Sequence, residues 1–110
     1  MPLEEQKVYE LSYLPGARKD LVELVRYISR SLKNPGAAER LAVELIEAAE
    51  RIRAFPYANP VYVPIRPLSH EYRKVPVQNY LIFYWVDEEN KQVTVARVLY
   101  GKRDCRNLVE

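Results

Sequence analysis

Apolar and polar positions change period several times along the chain, and each change marks an element. From Lys7 to Tyr13 the pattern alternates, with Tyr9, Leu11 and Tyr13 on one side and Val8, Glu10 and Ser12 on the other, which predicts a first strand. Ala17, Leu21, Leu24, Val25, Ile28 and Leu32 then recur at helical spacing, predicting a helix that opens with Pro15 in its first turn and runs to about Lys33. Leu14 offers this helix no side-chain cap. Asn34-Pro35 starts a second helix at once, because Asn caps the first turn and Pro at the first position gives up no hydrogen bond. Its apolar set is Ala38, Leu41, Ala42, Leu45, Ile46, Ala49, Ile52 and Phe55, and Pro56 ends it. Two amphipathic helices joined so tightly fold back as an antiparallel hairpin.

Pro56, Pro60, Pro64 and Pro67 keep residues 57–68 extended, as a connecting loop. Strand character resumes over Glu71–Val77, where Pro76 cannot donate to a ladder and favours an edge. Asn79–Val86 is nearly continuous apolar sequence, as in a central strand covered on both faces. Asp87-Glu88-Glu89-Asn90-Lys91 forms a hairpin turn, Gln92–Tyr100 the last strand, and Gly101 ends it. The predicted fold is α+β: an N-terminal strand, a helical hairpin, then a three-stranded antiparallel meander, giving a mostly antiparallel four-stranded sheet with the hairpin on one face.

The length, 110 residues with 48% apolar side chains, fits a single domain over 1–110 with one sizeable core. One cysteine, Cys105, and one histidine, His70, exclude an internal disulfide and a four-ligand zinc site, so neither a metal nor a cofactor is expected. No stretch approaches the ~20 apolar residues of a membrane span, and the first residues lack the basic and apolar regions of a signal peptide. A cytoplasmic protein without a membrane partner is expected.

Charge is uneven. Residues 1–60 carry nine basic and nine acidic side chains, whereas residues 61–110 carry Arg66, Arg73, Lys74, Lys91, Arg97, Lys102, Arg103 and Arg106, with three of their acids gathered in the Asp87–Glu89 turn. With glycine only at 16, 36 and 101, no phosphate-cradling loop is present. Nothing local supports Cys105 and His70 as a nucleophile pair, and Glu44 with Glu47 reads as a solvated helix face. The collection with chemical promise is Arg73 and Lys74 on one strand and Lys102, Arg103 and Arg106 after another, interleaved with Tyr72, Tyr80, Tyr84 and Tyr100. Arginines grip phosphates and tyrosine rings stack on unpaired bases, which suits single-stranded RNA; the competing reading makes Tyr80, Tyr84 and Trp85 core and the charges ordinary surface.

The layout, with Ala17-x-x-Asp20-Leu21, Asn34-Pro35, Phe55-Pro56, Tyr72-Arg73-Lys74, Asn79-Tyr80-Leu81-Ile82-Phe83-Tyr84 and Val98-Leu99-Tyr100-Gly101-Lys102-Arg103-Asp104, resembles the RelE/ParE superfamily of bacterial toxins from type II toxin–antitoxin and plasmid stabilisation systems. The resemblance covers nearly the whole chain. It implies a cognate antitoxin as partner, and one of two targets: the ribosome, where RelE-like members cleave mRNA, or DNA gyrase, which ParE-like members poison without catalysis.

Ribosome-dependent, metal-independent mRNA cleavage is the first expectation. In such a reaction the RNA 2′-hydroxyl attacks the adjacent phosphate while basic residues stabilise the developing charge. By similarity Arg73 and Arg103 hold the phosphate, Tyr100 or His70 assists proton transfer, and Lys74, Lys102 and Arg106 bind RNA. The departures are Leu81, where active RelE-like enzymes commonly carry an arginine, Tyr100 where others have histidine, and a tail over 105–110 without tyrosine. These favour the alternatives, a gyrase poison or a degenerate toxin that only binds antitoxin. Homodimerisation stays open.

Overall fold

The computed structural model describes residues 9–110. Its elements are β1 (Glu10–Tyr13), α1 (Pro15–Arg26), α2 (Pro35–Ala54), β2 (Tyr72–Val77), β3 (Tyr80–Asp87) and β4 (Gln92–Tyr100). Lys7 and Val8 of the expected first strand lie outside the described residues. The first helix does not run unbroken to Lys33: after Arg26 it widens into π-helical turns over Tyr27–Ser31. The Leu32 N–H reaches back to the Tyr27 carbonyl at 3.1 Å and the Asn34 N–H to that of Ile28 at 3.1 Å, with Lys33 left-handed at φ 52°. α2 begins as its sequence requires, the Asn34 side chain accepting from the Ala37 N–H at 3.1 Å.

The four strands form one mixed sheet in the order β1-β4-β3-β2. The meander pairs antiparallel, but the first strand lies parallel beside the last, with Leu11 opposite Val93 and Tyr13 opposite Val95. A parallel partner needs a long crossover, and the helical hairpin supplies it. β2 takes the edge position that Pro76 suggested, yet part of its rim is covered. Residues 60–62 run alongside, the Tyr62 N–H donating to the Tyr72 carbonyl at 2.8 Å and the Lys74 N–H to that of Pro60 at 3.3 Å.

Both faces of the sheet are buried, which accounts for the apolar run in β3. Ile82 and Tyr84 face the helices with Leu24, Leu41, Leu45, Ile52, Val93, Val95 and Val98. Phe83 faces the other way, with Tyr72, Leu99 and Val109, under the loop residues Tyr62 and Leu68. A bulge where β4 passes Phe83 and Tyr84 turns Val95 and Val98, three residues apart, toward the same core. Between them Arg97 reaches α1, donating to both oxygens of Asp20 at 2.7 and 2.9 Å, while the Val98 N–H also donates to Asp20 at 3.0 Å. A third contact, from Arg97 to the Leu108 carbonyl at 2.7 Å, ties the C-terminal segment to the same pair.

Candidate functional site

The side chains singled out above fall at two ends of the sheet. Arg73 lies opposite Tyr84 and Tyr100 opposite Tyr80, so their partners are four positions apart on β3, about 13 Å along the strand at about 3.3 Å per residue.

At the first end most of the polar side chains are engaged within the chain. Arg73 donates to the Asn59 carbonyl at 2.5 Å, stands 5.1 Å over the Tyr57 ring, lies 3.9 Å from the Glu71 carboxylate and is only 16% exposed in its side chain. The Tyr84 hydroxyl donates to the Pro56 carbonyl at 2.6 Å and accepts from Asn59 at 3.1 Å. Glu88 accepts from Lys91, from Tyr9 at 2.7 Å and from Tyr57 at 2.8 Å. These three donors hold its carboxyl down to about 2, and the bond to Glu88 pushes the Tyr57 phenol up to about 12. His70 stacks face to face on Trp85, 3.7 Å between ring centroids, beside Tyr72. Tyr72 in turn donates to Glu110 at 2.9 Å, and burial raises its pKa.

At the second end three tyrosines and an arginine lack such partners, beside Asp20 and Gln78, which have theirs in Arg97 and Glu44. The rings of Tyr80 and Tyr100 meet edge to face at 5.5 Å. With Tyr27 and Arg103 they line a groove of about 680 Å³ floored by Leu24, Leu41 and Val98. The three phenol hydroxyls and the Arg103 guanidinium find no hydrogen-bond or ion-pair partner among the described residues. Burial raises the Tyr80 phenol, and nearby Tyr100 and Tyr27 add to the shift. Gly101 is needed where β4 leaves this groove. Its N–H donates to the Asn79 carbonyl at 2.7 Å, and a Cβ there would stand 3.1 Å from that oxygen.

The structure thus unites Tyr100 with Arg103, and Arg73 with His70, but does not bring the two pairs together. The remaining basic residues divide among other contacts. Lys74 lies 5.7 Å over the Tyr62 ring, Lys102 is exposed in the turn after β4, and Arg106 forms a bidentate pair with Asp104. Leu81 packs into the second core, so an apolar side chain fills the place of the expected arginine. Burial pushes the Cys105 thiol up, the opposite of an activated nucleophile. No group of three His, Cys, Asp or Glu among the described residues could hold a metal ion. Two residues escaped the sequence reading: Tyr27, hidden in a helix that widens only in three dimensions, and Arg97, whose signal was a lone charge in an apolar strand.

A family model described as the ParE toxin of the type II toxin–antitoxin system parDE matches residues 11–105. The chain belongs to this family. Solved structures share its fold. The RelBE2 toxin–antitoxin complex from Mycobacterium tuberculosis matches at TM-score 0.62 and 20% identity, covering 86% of this chain and 99% of that one. The chromosomal ParDE system from Pseudomonas aeruginosa matches at 0.67 and 12%, covering 86% and 98%. A mutant of the Escherichia coli toxin RelE in its free state matches at 0.59 and 18%, covering 87% and 86%. No curated protein matches the chain. Among the described residues, no helix of this toxin is long and apolar enough to cross a membrane.

Proposed function

We propose that this toxin arrests growth by binding a protein target, DNA gyrase, and not by cutting RNA. The observation that carries the reading is the engagement of Arg73 by Asn59, Tyr57 and Glu71, at a position of the sheet four steps of β3 from Tyr100. Phosphoryl-transfer catalysis requires charges free to gather around one phosphate, and an arginine already committed to internal partners does not supply that. The apolar packing of Leu81 supports the same reading. A cognate antitoxin neutralises the toxin, a role supported by neighbours solved as toxin–antitoxin complexes.

The test is purified toxin added to a gyrase supercoiling reaction and, in parallel, to cell-free translation with primer extension on the mRNA. Lost supercoiling with intact mRNA is the expected result. New 5′ ends within codons, appearing only while ribosomes translate, would overturn it. One observation favours that second outcome: Tyr100 and Arg103 share a groove with two further tyrosines, a surface on which bases could stack beside a cation.

A further inference from the structure

We propose that the toxin binds a small apolar molecule, a single aromatic ring or a compact branched hydrocarbon, between its helical hairpin and its sheet. A cavity of about 150 Å³ lies there, lined by Leu21 and Val25 of α1, Ala42 and Ala49 of α2, and Ile82 and Val95 of the sheet. The space arises because α2 turns two alanine methyls, seven residues apart, toward the core where leucines would fill it. Ala49 is 1% exposed and Ile46 is exposed, so the cavity runs from the packed interior to the surface of the hairpin.

Water is a poor occupant. A buried water needs two to four polar partners, and the lining offers only the Tyr13 phenol. That group is itself pushed up by burial and by the Glu50 carboxylate. Interiors pack closely enough that voids larger than a water are few, and atoms facing a void lose dispersion contacts that a guest of the right size restores. An engineered cavity of about this volume with an aliphatic lining stays dry and takes up benzene or xenon. Entry does not require unfolding, because Ile46, which also lines the cavity, is 61% exposed on the hairpin surface.

The test is thermal unfolding of the whole toxin by circular dichroism, with benzene as the probe and phenol as the polar control. Benzene near saturation raises Tm by about 5 °C, and phenol by much less. Ala49→Leu fills the void, raises Tm without benzene and abolishes the benzene response. No shift in the unsubstituted toxin overturns the proposal, as does a benzene shift that survives in Ala49→Leu. Should that variant fail to fold, Ala42→Val serves in its place, with the chemical shift of dissolved xenon as a second readout. A xenon signal identical with and without the unsubstituted toxin counts against the site.

Discussion

The two ends of the sheet are built from the same materials and finished differently. Near Arg73 the tyrosines Tyr9, Tyr57, Tyr72 and Tyr84 each find an internal partner, in Glu88, Glu110 or the Pro56 carbonyl. Near Arg103, Tyr27, Tyr80 and Tyr100 line a groove and their hydroxyls have no hydrogen-bond partner among the described residues. A satisfied polar group holds a fold together, while an unsatisfied one at a groove mouth is available to something else. Arg73 at the first end is thus held by its own neighbours. Arg103 at the second end has no such hold among the described residues.

The strongest test of that contrast is Asp20→Ala. It leaves Arg97, about a quarter exposed, without its bidentate partner and the Val98 N–H without an acceptor. Breaking such a pair from one side costs about 3 kcal/mol, and urea unfolding should show a loss of that order. The next largest effect separates the two arginines. Arg73→Ala lowers stability by about 1–2 kcal/mol through the lost Asn59 bond and Tyr57 contact, whereas Arg103→Ala changes it by less than about 0.5 kcal/mol. Growth arrest should follow the reverse order, abolished by Arg103→Ala and kept by a folded Arg73→Ala; equal stability losses would erase the distinction. The smallest effect concerns acid. The Glu88 carboxyl is depressed in the folded state to about 2, so its contribution is present above the unfolded carboxylate value and is lost as pH falls toward 2. Melting measured stepwise from pH 6 downward should show a shallower decline below about pH 4.5 for Glu88→Gln than for the unsubstituted toxin.

Much of this architecture is legible in local sequence because local physics decides it. Asn34-Pro35 sets the start of α2 through a cap and a fixed backbone angle, and the doubly buried β3 shows in its unbroken apolar run. The π-helical turns are not legible, since apolar spacing through Ile28 and Leu32 reads the same whether the turns are tight or wide. Nor is the parallel seating of β1 on β4, because alternation states which side of a strand is apolar and not which neighbour it takes. The candidate site divided for the same reason. Arg73 looked available until the proline-rich loop brought Asn59 and Tyr57 over it, a contact between residues distant in sequence.

That parallel pair also sets an order of events during synthesis. Ser12 lies against Thr94, 82 positions later, so β1 has no partner until the ribosome has made residues 92–95. The helical hairpin, built from neighbours in sequence, can form early, but the sheet closes only through its most distant contact, the step that loop-closure entropy makes slowest. The groove opens between Tyr27 of the early unit and Tyr100 of the late one. A partly made chain can therefore have its helices but not this groove, which is completed only after β4 has emerged.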